Sequence, residues 1–313
     1  MNYAQSQLST NSQQRGVAVI AAMLLAALTT IVVGQLVWQQ QLLISELENQ
    51  QSATQANLIA DAAIQWARAI LAEDALSSNI DHNQEVWATK LPNIPTEGGK
   101  ISGQIIDQQQ FLNLNNVVND NSAQAGLNRL LTSLNLSNSL TSTLMDWLDI
   151  DDISNGADGA ESNYYRSLSP AYQAANQLLT EPGNLIRVKG YDQAVINKIA
   201  PFTTVLPKNT EINVNTASAE VLSIILPDTI LAQAQGIVSA RNIAFFKDLS
   251  DLKARGFTSE NNNIDTTNIN LSVDSHYFLV NCNAQFERAN LNVTALLYRD
   301  TKGWPTVVWK RNL

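Results

Sequence analysis

The sequence predicts an α+β protein in which a long N-terminal helix packs on an antiparallel sheet and a large helical block is inserted between the strands. Three patterns indicate this architecture. An uncharged apolar segment, 17–38, runs into an amphipathic stretch that contains no Pro or Gly between residues 35 and 72. Alternating, strand-like segments lie before residue 118 and after residue 273. Between them, apolar residues recur at helical spacing.

Composition narrows the possible functions. The chain has 313 residues, of which 45% are hydrophobic and 15% charged, so it contains enough apolar material for a substantial core. A formal charge of −9 argues against a general nucleic-acid binder, which needs a basic face. The single Cys282 allows no intrachain disulfide, and only two histidines, His82 and His276, are present. Zinc sites rich in Cys and His are therefore not expected.

The first element is predicted to be one helix over residues 17–72. Its part from Val17 to Trp38 would reach roughly 33 Å, enough to cross a hydrocarbon core of about 30 Å. The apolar core of a secretory signal is shorter, about 7–15 residues, so we expect a membrane anchor rather than a cleaved signal of that kind. An apolar stripe indicates that the second half packs on a domain. The stripe consists of Ile59, Ala62, Ala63, Trp66 and Ile70.

The residues just before this helix favour one orientation in the membrane. Arg15 is the only charge of the short leader, and a positive flank favours the cytoplasmic side. Residues 40 onward are then expected outside the cytoplasm, with the chain crossing the membrane once.

The start of the helix resembles the class III signal of type IV pilin-like proteins. The leader ends in Arg15–Gly16, and the apolar helix begins directly after the glycine. This resemblance implies that a prepilin peptidase removes residues 1–16, cutting between Gly16 and Val17, and then methylates Val17. It also implies that the helix serves first as an anchor and later as the core of a filament.

Ala21 departs from the pattern of most such subunits, which carry Glu at the fifth mature position. A buried carboxylate needs a partner, and the partner expected in a filament is the amine of the next subunit. A subunit with no neighbour ahead of it has no use for the carboxylate. The departure, together with the chain length, resembles the protein K family of type II secretion system minor pseudopilins.

The rest of the chain divides into three predicted parts. Residues 73–118 form the first part of the pilin-like β domain, with a loop over 77–99 and strand alternation over 100–117. Residues 119–273 form the inserted α-helical domain, and residues 274–313 supply the strands that complete the sheet. Pro305 predicts that the last strand lies at the edge of the sheet.

An acidic segment, 145–165, is the first candidate for a binding site. It holds six acids and no base between Asp146 and Glu161, together with two glycines that permit tight turns. Oxygen ligands on a wrapping loop suit calcium, although the spacing differs from that of an EF-hand. A solvated acidic loop is the alternative on composition alone, and a glycosidase-type carboxylate pair is a third. The resemblance to the protein K family favours calcium, with one or two ions. The expected ligands are Asp149, Asp151, Asp158 and Glu161.

The second candidate is the segment 212–258, which resembles a helix-hairpin-helix unit. In versions that bind DNA, a Gly-rich turn presents backbone N–H groups to phosphate. The corresponding turn here, 226–230, contains no Gly and carries Asp228. We therefore expect a structural or protein-contact unit and no nucleic-acid partner.

The leading hypothesis is a structural protein at the tip of the type II secretion pseudopilus. The partners it implies are other minor pseudopilins, the major pseudopilin and the prepilin peptidase, besides the membrane. A minor pilin of a type IV pilus or of a DNA-uptake system is the alternative. A membrane-anchored periplasmic enzyme is a further alternative, but the sequence offers no nucleophile–base set or phosphate loop, so we expect no enzymatic activity.

Overall fold

The computed structural model describes residues 10–96, 99–256, 269–286, 289–300 and 303–312. Helix α1 runs from Thr10 to Ser77, which is longer at both ends than the predicted 17–72. From Gly16 to Ile44 its side chains are exposed around the whole circumference, and its second half packs on a sheet. The long amphipathic pattern thus gives one helix, as the sequence predicts.

A five-stranded antiparallel sheet lies against α1, in the order β1-β2-β7-β8-β9. Its strands are β1 (Leu91–Thr96), β2 (Gly99–Asp107), β7 (Tyr277–Phe286), β8 (Ala289–Tyr298) and β9 (Thr306–Asn312). Strand β9 is an edge strand, as Pro305 predicts. Strand β1 lies within the segment 77–99, which was expected to be a loop. Its prolines are accommodated because β1 is the other edge of the sheet.

The face of α1 that contacts the sheet differs from the predicted stripe. Small and medium side chains at helical spacing, Ala60, Ile64, Ala67 and Leu71, are buried against the inner faces of β7 and β8. Trp66, which was predicted to pack on the domain, keeps 51% of its surface exposed. The predicted stripe is therefore displaced by about one position from the centre of the contact, because the closely packed face is built largely from small residues. Ile59, Ala63 and Ile70 are half-buried and pack at the margin of the contact, whereas Ala62 and Trp66 are exposed.

Between β2 and β7 the chain forms a helical insertion with its own core. The chain leaves the sheet at Asp107, and residues predicted to belong to the β domain, Leu112, Leu114 and Val117, pack in the core of the insertion. The helices of the insertion are α2 (Asn121–Ser133), α3 (Ser139–Leu148), α4 (Ser162–Arg166), α5 (Gln193–Ile199), α6 (Ala219–Ile225), α7 (Leu231–Ile243) and α8 (Leu249–Gly256).

Short parallel strand pairs and 3₁₀ turns connect these helices. The pairs are β3 (Leu112–Asn113) with β4 (Thr203–Thr204), and β5 (Ile212–Asn213) with β6 (Leu271–Ser272). Buried asparagines bridge the connections. Asn115, for example, donates to the carbonyl oxygens of Leu179 at 2.9 Å and Leu206 at 2.8 Å. These side chains satisfy backbone groups that regular secondary structure leaves unpaired.

The insertion is attached at the end of the sheet that lies farthest from the N-terminal half of α1. Ala56 of α1 packs against Ala284 of β7, near one end of the sheet. At the other end, Arg299 contacts Asp74 close to the last turn of α1. Asp107, where the chain enters the insertion, pairs with Phe278 of β7 at this same distal end.

Candidate functional site

Among the described residues, α1 is the one helix long and apolar enough to cross a membrane. Its most apolar window has a mean hydropathy of 2.6, and none of that window is buried by the rest of the chain. Gly16, Val17 and Ala21 lie on this helix, and the side chains of Val17 and Ala21 are exposed. The positions of the predicted cleavage and of the missing Glu are therefore accessible.

The acidic segment is organised around Asp146, in the last turn of α3. Its carboxylate is fully buried and accepts hydrogen bonds from the backbone N–H of Asn155 at 2.8 Å and of Ala160 at 2.5 Å. The side-chain amide of Asn155 adds a further bond to it at 2.7 Å. Because these donors lie 9 and 14 residues further along the chain, Asp146 closes the loop into a compact turn.

Asp149 and Glu161 lie beside Asp146. Asp149 follows the last residue of α3, and Glu161 directly precedes α4. Each of the three residues offers a carboxylate oxygen, and these oxygens all lie within 4.8 Å of one another. Asp149 Oδ1 and both carboxylate oxygens of Glu161 are buried and find no hydrogen-bond partner among the described residues. Buried acceptors of this kind are costly unless something satisfies them.

Burial raises the pKa of two of these carboxyl groups, Asp149 and Glu161. Burial, helped by the neighbouring Asp151 and Asp146, raises the pKa of Asp149 to about 6. Burial, with Asp146 and Asp149 next in importance, raises the pKa of Glu161 to about 7. A hard divalent cation would remove both penalties, because it neutralises the carboxylates and accepts the unpaired oxygens as ligands. The donor set therefore fits such an ion.

Two of the four predicted ligands belong to this group of carboxylates, and two do not. Asp149 and Glu161 are in the group, whereas the side chains of Asp151 and Asp158 are not. The Asp151 carboxylate accepts from the backbone N–H of Ile153 at 2.8 Å, and Asp158 is exposed. Asp146 was not among the expected ligands. Its spacing of three residues from Asp149, at the end of a helix, was the available signal that the two carboxylates lie on the same face.

A second acidic group, Asp74, Asp81 and Glu85, lies where α1 ends. The buried guanidinium of Arg299 donates to Asp81 at 2.5 Å and to Asp74 at 2.8 Å. Because a cation of the chain already occupies this position, the group is a buried ion-pair network, which ties α1 to the end of β8.

In the helix-hairpin-helix-like segment, buried polar side chains form hydrogen bonds to backbone groups of the same segment. The buried guanidinium of Arg241 in α7 donates to the carbonyl oxygens of Val214, at 2.7 Å, and of Ala217. The side chain of Asn215 bridges both backbone groups of Phe246, at 2.8 and 2.9 Å. The turn between α6 and α7 presents the exposed Asp228. These contacts are typical of a structural unit.

Comparison with known proteins shows clear relatives. Two family models described as type II secretion system protein K match residues 110–208 and 212–273. The type II secretion system protein K of Pseudomonas aeruginosa is 32% identical over 284 residues, covering 85% of this chain and 83% of that protein. The protein K of Pectobacterium carotovorum subsp. carotovorum is 27% identical, covering 92% and 93%.

A solved structure shares the fold. One chain of the crystal structure of the GspK-GspI-GspJ complex from enterotoxigenic Escherichia coli superposes with a TM-score of 0.75. The match covers 85% of this chain and 99% of that chain, at 22% sequence identity. The part of the fold that this match covers has thus been seen experimentally.

Proposed function

Because the chain belongs to the type II secretion system protein K family, we propose that it is a minor pseudopilin at the tip of the pseudopilus. Together with other minor pseudopilins it nucleates and caps the filament during export of proteins across the outer membrane. Its role in this proposal is structural and not catalytic. The residues at the start of the chain and the order of its predicted elements support the same assignment.

The observation that carries the proposal is the position of the helical insertion. The insertion is attached at the distal end of the sheet, at Asp107, near the point where Arg299 contacts Asp74. The apolar half of α1 extends from the opposite end. In a filament built from parallel helices, the insertion therefore occupies the space into which a following subunit would have to fit.

Processing of the N-terminus belongs to the same proposal. A prepilin peptidase removes residues 1–16 and methylates Val17, and α1 then anchors the chain in the inner membrane with its bulk in the periplasm. Ala21 avoids an unpaired carboxylate in a subunit that has no neighbour ahead of it. The solved GspK-GspI-GspJ complex supports other minor pseudopilins as partners. The proposal further places the major pseudopilin below them in the filament.

We assign the carboxylates of Asp146, Asp149 and Glu161 to a calcium site. The orphaned oxygens of Asp149 and Glu161 are the observation that supports it. Calcium would supply the charge that these buried carboxylates lack, and its coordination shell suits a loop rich in oxygen donors. The site lies between α3 and α4, so binding of the ion stabilises the insertion and takes no part in a reaction.

Two measurements in the bacterium that carries this gene test the proposed function. Deletion of the gene is expected to abolish secretion of the substrates of its type II system, with restoration by the full chain supplied in trans. Immunogold labelling of assembled pseudopili is expected to mark one end of each filament. Undiminished secretion after deletion would refute the assignment, and label along the whole shaft would refute placement at the tip.

A further inference from the structure

The proposed calcium site is built from two parts of the chain that a loop brings together. Asp146 and Asp149 lie at the end of α3, whereas Glu161 directly precedes α4. The segment 150–160 joins them. A site whose ligands are already in place binds an ion more tightly than one that the ion must first order. The affinity for calcium therefore depends on the contacts that keep this segment folded.

Lys189, from a distant part of the insertion, holds the second half of this segment. Its ammonium donates to the carbonyl oxygen of Asp158 at 3.1 Å and to that of Gly159 at 3.3 Å. These two residues come directly before Ala160, whose backbone N–H donates to the carboxylate of Asp146 at 2.5 Å. The ammonium therefore fixes the stretch of backbone that carries one of the donors to Asp146.

The same lysine is also attached to α4, on the other side of Glu161. Its backbone N–H donates to the hydroxyl of Tyr165 at 3.2 Å, and the side chain of Tyr165 is fully buried. Its ammonium lies 4.8 Å from the centre of the ring of Tyr164, a distance at which a tyrosine ring attracts a cation. Lys189 thus contacts the chain both before and after Glu161.

Gly159 shows how closely this backbone approaches the acidic group. A Cβ atom at Gly159 would overlap the carboxylate of Asp146 and the hydroxyl of Ser154. Because no space for a methyl group is left between them, a shift of the backbone at Gly159 also shifts the carboxylate of Asp146. Lys189 binds the carbonyl oxygen of this same glycine, so it restrains the backbone where Asp146 is most sensitive to it.

The charge of Lys189 and its contacts affect calcium binding in opposite directions. In the part of the chain that the structure describes, its ammonium forms no ion pair with a carboxylate. Carbonyl oxygens and the face of a ring surround it instead. A positive charge near a cation site weakens binding by repulsion. Restraint of the loop strengthens binding, so the sign of the change in affinity on removing the ammonium distinguishes the two effects.

We infer that Lys189 is a positioning residue of the calcium site, which holds residues 158–160 so that the three carboxylates of the group face the same ion. This inference rests on the proposed function and extends its metal site to a residue outside the acidic segment. Lys189 does not touch the ion and acts through the loop backbone. Because the loop is ordered before the ion arrives, calcium binding loses less conformational entropy. Removing the ammonium is therefore expected to weaken calcium binding, although it also removes a repelling charge.

Isothermal titration of the full, detergent-solubilised chain with calcium chloride tests the sign of the effect. Lys189→Met is expected to raise the Kd for calcium about tenfold, which corresponds to about 1.4 kcal/mol. Lys198→Met removes the same charge from an exposed position on α5 and is the matched control, for which we expect an unchanged Kd. Lys189→Arg keeps N–H donors for the carbonyl oxygens and is expected to restore most of the affinity. An unchanged or lower Kd for Lys189→Met, or a Kd for Lys189→Arg as high as that for Lys189→Met, would overturn the inference.

Thermal unfolding separates positioning of the ligands from a general contribution to stability. The Tm in EDTA shows that Lys189→Met is folded. A residue that positions the ligands lowers the Tm more in the presence of calcium than in EDTA, because the ion stabilises the variant less. Equal losses of Tm in the two conditions would overturn the inference and leave the proposed function intact. A wild-type chain that binds no calcium would instead refute the proposed calcium site, on which the inference rests.

Discussion

Replacing Arg299 by Met tests whether the buried ion-pair network holds the distal end of the molecule together. Arg299 is 5% exposed and follows the last residue of β8. Its guanidinium donates to both carboxylate oxygens of Asp81, at 2.5 and 2.6 Å, to Asp74 at 2.8 Å and to the carbonyl oxygen of Ser275 at 3.0 Å. The change leaves the carboxylates of Asp81 and Asp74 without their cation.

Removing one partner of a buried ion pair costs about 3–5 kcal/mol, because the other charge stays buried and unpaired. With a urea m-value of about 3 kcal/mol/M, a loss of that size lowers the unfolding midpoint by roughly 1–1.7 M. Arg311→Met is the matched control, since Arg311 contacts Glu181 on the surface, where its side chain is 43% exposed. An exposed pair of this kind contributes about 0–1 kcal/mol. Urea titration of the detergent-solubilised chain, followed by tryptophan fluorescence, measures both variants.

The pH dependence gives the sharper result. Burial raises the pKa of Asp81 from its ordinary value near 3.8 to about 7, although Arg299 opposes this rise. Because the folded state holds this proton more tightly than the unfolded state, the wild-type chain loses stability as the pH rises from about 4 to about 7, and this group causes no further loss above that pH. In Arg299→Met the guanidinium no longer lowers this pKa, so the pKa of Asp81 rises further. The carboxyl is neutral at pH 5, whereas at pH 8, where the unfolded chain ionises it freely, the folded variant must either hold the proton or bury an unpaired charge. The deficit is therefore expected to be larger at pH 8. Equal deficits at the two pH values, or a deficit no larger than that of Arg311→Met, would refute the reasoning.

Three other outcomes concern the calcium site and the N-terminus. Calcium at about 100-fold above its Kd is expected to add about 2.7 kcal/mol to the free energy of unfolding, which raises the Tm by roughly 5 °C. Glu161→Gln is expected to abolish this rise without lowering the Tm measured in EDTA. The control variant Asp151→Asn is expected to keep the rise. The response is expected to be larger at pH 8 than at pH 5.5, since the pKa of Glu161 is raised to about 7 and the ion binds the ionised carboxylate; equal responses would contradict the assignment. Mass spectrometry of the purified chain is expected to find methylated Val17 at the N-terminus, and Gly16→Leu to retain residues 1–16.

The main elements were predictable because they depend on local patterns. The long helix follows from an apolar run without breakers, and the C-terminal strands from alternation with turn residues between them. The packing face of α1 was not predictable in the same way. Large residues such as Trp66 dominate an apolar stripe in a sequence, whereas close approach of a helix to a sheet favours small ones such as Ala60 and Ala67. Which face is buried is decided by the surface that the helix meets.

Two other features depended on contacts between distant parts of the chain. Strand β1 contains Pro92 and Pro95, which argue against a strand unless it lies at an edge, and only the completed sheet places it there. In the acidic segment, composition was compatible with a cation site, but the choice of four ligands among the six acids included Asp151 and Asp158 and left out Asp146. Asp146 holds its central position because it bonds to Asn155 and Ala160, a closure of the loop that spacing alone does not reveal.

In the proposed cap, the joint between the sheet and the insertion combines a buried polar network with a small apolar cluster of Leu206, Tyr277 and Leu296. The insertion and the sheet have separate apolar cores. At the joint, the fully buried Asp107 accepts from Thr216 at 2.5 Å and Ser275 at 2.7 Å, and Asn213 donates to the same Ser275 at 2.9 Å. Apolar surfaces tolerate sliding, whereas a buried network is satisfied in one arrangement only. Since Ser275 also accepts from Arg299, the insertion is held in one direction relative to α1. A cap requires that fixed direction, because an insertion free to swing aside would leave room for another subunit above it.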